Sequence, residues 1–305
     1  TGVQEFASRL QAGIVPNYAR WADFVAGTEV PEEERAEVNA QLDNITSYIF
    51  EVIQNSNFSQ EVHESFLDLA VGTGGLLIEE GNATHPVRFT AIPLPHLTLD
   101  VGPSDAIDCV YRDRNIRASN ILVAYPEADL PMDIKKDLTQ GKDMYCHLVE
   151  GVHQDYTDIN VEAYIYTVFS VKHKHILVQK RFEGQGSNPY VVFRWGKSSG
   201  EIWGRGPLLN TMPAVKTTNL VIELILENAQ MAISGMYQLE DDGIINVDTI
   251  QLLPGTIIPR AAGSRGLEPV AQAGNFNVAD LVLKDMRNNI RKALYNETLG
   301  DPNKT

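Results

Sequence analysis

The sequence predicts an α+β protein that combines long helices with antiparallel β-strands. Apolar residues recur at helical spacing in the first sixty and the last hundred residues, which is typical of amphipathic helices. Between residues 144 and 195 the pattern changes to short runs rich in Val, Ile, Tyr and Phe, separated by turn residues, which is typical of strands. The 305 residues allow one large domain or two to three modest ones.

The first third is predicted to hold three helices followed by a small sheet. Residues 1–16 begin without Met and already at helical spacing, which favours an excised fragment. A second helix begins near Pro31, and the third has Ser59 as its N-cap and Gly72 as its stop. Short extended pieces follow up to residue 101. The apolar stripe of the second helix is Val38, Leu42, Ile45, Ile49 and Val52.

The middle and the end of the chain predict a change from strands to a long helix. Two short helices, at 114–126 and 132–141, precede an inserted antiparallel β module of roughly fifty residues. The residues after Pro207 can form a helix of about 30 residues, or ~45 Å. Strands, a glycine-rich loop and a final amphipathic helix then complete the chain. Two seven-residue series give the long helix a packing seam: Met212, Asn219, Leu226 and Ile233, and Val215, Ile222, Ala229 and Met236.

The net charge of −15 is concentrated in the first third of the chain. Residues 1–110 carry 4 basic and 17 acidic side chains, which gives −13, whereas residues 111–200 carry 12 and 11 and residues 201–305 carry 9 and 12. Tight, static DNA binding needs Lys and Arg to neutralise phosphates, so this composition argues against it. DNA that passes nearby without binding remains compatible with the charge. No apolar run approaches the roughly 20 residues that span a bilayer.

Two glycine-rich stretches raise the question of a phosphate-binding loop. The triplet Gly196-Lys197-Ser198 lies in "RWGKSSGEIWGRGP", but a P-loop needs a glycine five residues before its Gly-Lys pair, and position 191 is Val. The stretch "VGTGG" at 71–75 follows a helix and precedes a strand, the reverse of the order that aims helix N–H groups at an anion. We therefore predict a turn at 196–206 and a helix stop at 71–75.

Other candidate sites carry weaker signals. His173 and His175 alternate along a predicted strand and could hold a metal with His147 or His153, although the neighbouring lysines favour a solvated strand edge. The chain has no G-x-S-x-G, H-E-x-x-H or Cys/His catalytic signature. Its two cysteines cannot form a disulfide framework. We expect no catalytic residues, no bound metal and no cofactor, and hence no enzyme.

The order of elements and several segments resemble the portal (head-to-tail connector) proteins of short-tailed bacteriophages. The resemblance is most specific in "GEIWGRGPLLNTMPAVKTTNLVIELILENAQMAISGMY" at 200–237, where that family has a G-E-x-Y/W-G-R-[SG]-P run before a long helix. The segments "FASRLQAGIVP", "VGTGGLLIEEG" and "LYNETLGDPNKT" are also similar to portal segments. Portal chains of this type extend further at both ends, in agreement with a fragment.

The resemblance implies the phage portal fold, with an α/β wing, long stem helices and an inserted β-rich clip. The wing would comprise 1–110 and 241–305, the first stem helix 111–130, the clip 131–200 and the second stem helix 201–240. The crown would be absent from this chain. About twelve copies would form a ring at one capsid vertex of the virion, assembled in the bacterial host cytoplasm. The ring would package and eject double-stranded DNA and bind the terminase large subunit, the tail adaptor, and the capsid and scaffolding proteins, with no membrane partner.

Three groups of residues would serve this function. The tunnel loop at 261–276 would approach DNA, the seam would pack the stem helices, and the glycines of 196–206 would join clip to stem. The tunnel residues are Arg260, Ser264, Arg265, Gln272 and Asn275; the packing residues are Met212, Val215, Asn219, Ile222, Leu226 and Ile233; the joint residues are Gly196, Gly200, Gly204, Arg205, Gly206 and Pro207. The rival hypotheses are a nucleotide-binding enzyme that uses Lys197 and a β-rich receptor-binding tail module built on 144–195.

Overall fold

The computed structural model describes residues 2–158, 160–234, 237–238, 268–269 and 276–296. The chain divides into two compact units, of which the first comprises residues 1–210 and 293–305 and the second residues 211–292. None of the helices in these described ranges is long and apolar enough to cross a membrane. The α+β class predicted from the sequence is confirmed.

Three helices open the first unit, as predicted. They are α1 (Gly2–Ile14), α2 (Glu32–Gln54) and α3 (Phe58–Leu69). Three glutamates in the first turn of α2 suit the positive end of its dipole. The predicted N-cap of α3 is wrong, because the helix starts before Ser59 and Asn57 occupies the cap position. The Asn57 side chain instead exchanges two hydrogen bonds with the backbone of Phe89.

A three-stranded antiparallel sheet covers α3. Its strands are β1 (Thr73–Glu80) in the centre, β2 (Val87–Ile92) and β8 (Tyr190–Arg194). Side chains of α3 accept hydrogen bonds from the outer edge of β2: Ala91 N–H donates to Glu61 at 2.7 Å, and Asp68 accepts from Leu94, just beyond the strand. Capping of this kind removes the free edge that would otherwise pair with another chain.

A five-stranded antiparallel sheet forms the rest of the first unit. Its order follows the chain: β3 (Leu97–Val101), β4 (Ile107–Arg117), β5 (Tyr145–Gln154), β6 (Ala163–Ser170) and β7 (His175–Glu183). Two short helices, α4 (Ala118–Ala124) and α5 (Met132–Thr139), follow β4. A single turn of 3₁₀ helix at Leu94–His96 precedes β3.

Two predictions about this region are wrong. The helix expected across 111–130 exists only as the seven residues of α4, because β4 runs to Arg117 and pairs with β5 along its length. The alternation of Val110, Arg112, Arg114 and Ile116 on β4 is the strand period that this prediction overlooked. The separate β module expected at 144–195 is also wrong, since β5 pairs with β4 and β8 pairs with β1.

One face of the five-stranded sheet carries two apolar clusters. The first lies under α4 and α5 and includes Ile121, Ile134 and Leu148. The second lies under the three-stranded sheet and includes Leu77 and Val152. The two coverings of this sheet face are therefore helices α4 and α5 on one part and the three-stranded sheet on another. A strip of the face lies between them.

The second unit contains the long helix. This helix, α6 (Pro207–Ser234), has 28 residues and begins at the predicted proline. Pro213 lies inside it, near the end of its second turn, where it removes one backbone hydrogen bond. The short strands β9 (Tyr237–Gln238) and β10 (Glu268–Pro269) pair with each other, and α7 (Phe276–Ala293) confirms the final helix. The tunnel-loop residues Arg260, Ser264, Arg265, Gln272 and Asn275, and the side chain of Ile233, lie outside the described residues.

Candidate functional site

The two glycine-rich stretches of the sequence pack against each other. We call this contact the glycine junction; it consists of residues 70–73, between α3 and β1, and residues 195–208, between β8 and α6. Four hydrogen bonds join the two stretches. Trp195 N–H donates to Gly72 O, Gly204 N–H to Thr73 Oγ1, Gly206 N–H to Val71 O and Leu208 N–H to Ala70 O, all at 2.8 to 2.9 Å.

Glycine is required here because the two backbones approach closely. A methyl group at Gly204 would overlap the carbonyl oxygen of Gly72, and one at Gly206 would overlap that of Ala70. Gly200 has a φ of 78°, the left-handed region that glycine adopts without strain. Gly196, by contrast, has no atom closer than 3.5 Å to such a methyl group. Close backbone approach therefore explains two of the predicted joint glycines and turn geometry a third.

The geometry of the junction speaks against a phosphate cradle at Lys197. A cradle needs several backbone N–H groups that point at the ligand. Here the N–H of Arg205 donates to Gly196 O at 2.7 Å, and those of Gly204 and Gly206 donate across the junction. The Arg205 side chain pairs with Glu201. The N–H groups of Gly204, Arg205 and Gly206 are thus used within the junction and are not available to a ligand.

The Trp195 ring packs near the first helix of the chain and near the segment that follows α7. Its ring lies 5.2 Å from that of Phe6 and 5.4 Å from that of Tyr295. The side chain of Asn296 donates to the carbonyl of Gly2 at 2.6 Å. The chain therefore leaves the first unit after Asn210 and returns at Ala293, and Trp195 packs on the returning segment through Tyr295.

The predicted seam of α6 is only partly covered in a single chain. Val215 and Ile222 are half-buried, as is Ala229. The other series is exposed: Met212 keeps 37% and Leu226 63% of its surface, and Asn219 is exposed as well. The Met212, Asn219 and Leu226 face is thus available to another molecule.

A buried charged cluster, absent from the predictions, lies in the strip between the two coverings of the five-stranded sheet. We call it the Glu150 cluster. The Glu150 carboxylate is fully buried; Arg112 donates to its Oε2 from Nε at 3.0 Å and Nη2 at 2.9 Å. Tyr125 donates to Oε2 at 2.5 Å and Tyr166 to Oε1 at 2.8 Å. Arg114 donates to the Tyr125 hydroxyl at 3.0 Å.

Burial and the charge of one carboxylate shift the pKa values in the Glu150 cluster. Burial raises the pKa of Tyr125 and of Tyr166, and the Glu150 charge raises both further. Burial is the largest single effect on the pKa of Arg112 and lowers it, but Glu150 and the neighbouring Tyr190 and Tyr125 together outweigh burial, and the pKa is raised. The cluster therefore holds Arg112 charged and both phenols protonated. The polar groups named above all have hydrogen-bond partners, whereas the neighbouring Tyr190 hydroxyl, whose pKa burial and the Glu150 charge also raise, is buried without one.

A cavity of about 550 Å³ opens beside the cluster. Glu150, Tyr125 and Tyr166 form part of its wall, together with Phe182 and the end of β1. The Lys180–Glu127 ion pair, 2.6 Å long, lies at the same cavity. The Ser187 Oγ on its wall is buried without a hydrogen-bond partner.

The histidines considered for a metal site each pair with another side chain. His173 lies in the turn after β6, not on a strand as predicted, and pairs with Ser170. His175 pairs with Asp129 and His147 with Asp113, while His153 meets the Tyr111 hydroxyl. Across the part of the chain that the structure describes, no three metal-binding side chains come together. Cys109 and Cys146 are free thiols, as expected.

The sequence contained a signal for the Glu150 cluster. On β5, Cys146, Leu148, Glu150 and Val152 share one face, so a carboxylate interrupts an apolar row, and Arg112 interrupts the row on β4. Opposite charges on the buried faces of neighbouring strands indicate a buried pair.

Comparison with known proteins gives one positive result. The whole chain, residues 1–305, matches a family model described as bacteriophage head to tail connecting protein. None of the curated proteins matches the chain significantly.

Proposed function

The chain belongs to the bacteriophage head-to-tail connecting proteins, and from this premise we propose that it is a portal subunit. The family is one of structural proteins of the virion that associate with capsid and tail. In the proposal, about twelve copies close into a ring at one capsid vertex. One surface of each copy binds a different surface of the next copy. DNA is packaged and ejected through the ring, which binds the terminase large subunit, the tail adaptor and the scaffolding protein.

The exposed face of α6 is the observation that carries the proposal. Twenty-eight residues at 1.5 Å per residue make a rod of about 42 Å. Met212, Asn219 and Leu226 recur every seven residues on an uncovered face. A helix with apolar residues on several sides needs a cover. In a ring, the α6 helices of neighbouring copies supply it, so α6 is the stem helix of the proposal.

The glycine junction supports the same function. A stem helix must leave the body of each subunit in the same direction if the ring is to close. The hydrogen bonds from Gly204, Gly206 and Leu208 fix the backbone of the first residues of α6 on the α3–β1 turn. In this proposal the wing is built on α1–α3 and the three-stranded sheet, and the clip on the five-stranded sheet that carries residues 145–183.

The charge distribution fits a passage for DNA. A channel that moves a polyanion must not bind it tightly, and residues 1–110 carry a net charge of −13. Because position 191 is Val where a P-loop has its first glycine, the proposal assigns the force to a separate terminase ATPase. The tunnel-loop arginines, Arg260 and Arg265, remain part of the proposal as the residues that approach DNA.

The test is negative-stain microscopy of the full-length protein that contains this chain, viewed along the ring axis. We expect closed rings of about twelve subunits with a central channel. A protein that stays monomeric at high concentration contradicts the proposal. The rival enzyme hypothesis has its own control: Lys197→Ala should leave ring formation unchanged, and the wild-type protein should bind no ATP analogue.

A further inference from the structure

Helix α2 carries more apolar side chains than its own chain covers. Thr46 and Phe50 are buried, and they mark the side of α2 that packs inward. Ile45 nevertheless keeps 50% of its surface and Tyr48 66%. Val38 and Val52 lie on the same side of the helix and are half-buried. We call these four exposed or half-buried residues, Val38, Ile45, Tyr48 and Val52, the α2 stripe.

An extended segment of the same chain covers the side of α2 that carries Thr46 and Phe50. This segment, residues 18–26, is here called the arm, and side chains of α2 hold it in place. Ala26 N–H donates to Asn39 Oδ1 at 2.7 Å, and Phe24 N–H donates to Thr46 Oγ1 at 3.3 Å. The arm therefore has a fixed position although it contains no helix or strand.

The arm is anchored by one aromatic residue and exposes others. Trp21 packs edge-to-face on Phe50 at 5.2 Å between ring centres. Tyr18 keeps 86%, Phe24 55% and Val25 72% of their surface. A rigid segment thus presents apolar side chains to solvent, which is unusual for a surface that stays uncovered.

Within the α2 stripe, Tyr48 lies on the side of the helix opposite to the residues that hold the arm. At about 100° per residue, Tyr48 lies about 140° to 180° around α2 from Asn39, Asp43 and Thr46. Asn39 and Thr46 hold the arm, and Asp43 pairs with Arg20 of the arm at 2.8 Å. Two different apolar surfaces on opposite sides of a subunit are what a head-to-tail contact requires, because each copy then offers one surface to each neighbour.

We infer that the arm of one copy packs on the α2 stripe of the next copy. The inference rests on the proposed function, since it names the surface through which the ring closes. A fully exposed aromatic side chain offers on the order of 200 Å², so at their exposed fractions Tyr18 and Phe24 offer about 280 Å² on the arm and Tyr48 offers about 130 Å² on the stripe. Together these aromatic residues supply about a quarter of the roughly 1,600 Å² that the two partners of a standard interface bury, before the aliphatic residues are added.

The contact is apolar and not ionic. The solvent face of α2 carries exposed Glu33, Glu37 and Glu51, and the one arginine of the arm, Arg20, already pairs with Asp23 and Asp43 of its own chain. Two acidic surfaces repel each other weakly across such a contact, and salt screens that repulsion. The contact therefore persists at high ionic strength.

The test is disulfide cross-linking in assembled rings of the full-length protein. Four double variants combine Phe24→Cys or Val25→Cys with Ile45→Cys or Tyr48→Cys. A disulfide needs Cα atoms within about 7 Å, and Tyr48 lies on the side of α2 opposite to the arm of its own copy, so the two variants with Tyr48→Cys are decisive. We expect at least one double variant to give a ladder of dimers, trimers and larger species on a non-reducing gel, at low and at high salt.

Controls separate this contact from its alternatives. Each single variant should stay monomeric on the gel, as should Val25→Cys combined with Val123→Cys, which lies on α4 and is 80% exposed. A dimer from Tyr48→Cys alone indicates a two-fold contact and overturns the inference, as does a ladder lost at high salt. Rings without a ladder in any of the four variants overturn the inference and leave the proposed function standing. A wild-type protein that forms no rings overturns both.

Discussion

The glycine junction and the Glu150 cluster both tie distant parts of the first unit together, but by opposite means. The junction joins two backbones directly, and it needs residues with no side chain at Gly72, Gly204 and Gly206. The cluster joins strands and a helix through long charged side chains, with Arg112 on β4, Glu150 on β5 and Tyr125 after α4. One site is therefore sensitive to any added atom, and the other to any lost charge.

The largest effect is expected at the cluster. Glu150→Ala leaves the Arg112 guanidinium, 8% exposed, without its partner and two buried hydroxyls without an acceptor. Breaking a buried pair from one side typically costs about 3–5 kcal/mol of unfolding free energy. Urea denaturation of the wild type and the variant measures the difference.

The matched control removes both charges together. The double variant Glu150→Leu with Arg112→Met replaces the pair by apolar side chains of similar size, and such replacements are often close to neutral. We expect it to regain most of the stability lost in Glu150→Ala. A double variant as unstable as the single one would mean that shape, and not an unpaired charge, dominates at this site.

The next effect is expected at the junction. Gly204→Ala places a methyl group on the carbonyl of Gly72, and the two backbones must separate to accept it. Overpacking of this kind costs about 1–3 kcal/mol, which thermal unfolding can detect. Gly196→Ala is the control in the same loop, because its methyl group meets nothing closer than 3.5 Å, and we expect a change within about 0.5 kcal/mol. Equal losses in the two variants would show that loop flexibility and not close approach is responsible.

The two sites also differ in what the sequence could predict. The turn at 196–206, the helix stop at Gly72 and the start of α6 at Pro207 follow from local patterns, since Gly and Pro act through their own φ angles. That the two glycine stretches meet does not follow, because the contact joins residues more than 120 positions apart. Local pattern carries no information on such a pairing.

The strands show the same limit in another form. Alternation predicts that β5 to β8 exist, but not that β8 leaves its neighbours to pair with β1. The first stem helix at 111–130 was implied by the resemblance to portal proteins, and pairing of β4 with β3 and β5 makes its first residues a strand. The Glu150 cluster was predictable only by comparing two strands, because a lone glutamate in a strand pattern is usually an exposed one.

The smallest effect concerns the tyrosines of the cluster. Burial and the Glu150 charge raise the pKa of Tyr125 and Tyr166, so the folded protein holds these phenol protons more tightly than the unfolded chain does. The stability that they contribute is therefore present below the usual tyrosine pKa of about 10 and is lost as the pH rises above it. At neutral pH no change is expected.

Absorbance titration of tyrosinate, followed together with circular dichroism, measures this contribution. Of the 11 tyrosines, Tyr125, Tyr166 and the neighbouring Tyr190, whose pKa burial and the Glu150 charge also raise, should ionise only when the fold is lost, in one cooperative step in which both signals change together. Tyr166→Phe should reduce the amplitude of that step by one phenol and leave the earlier part of the titration unchanged. A protein that keeps its dichroism while all its tyrosines ionise gradually would show that water reaches the Glu150 cluster. The Arg112–Glu150 pair would then contribute little to stability, because it would be solvated. The Glu150 cluster and the glycine junction would then differ in their geometry alone.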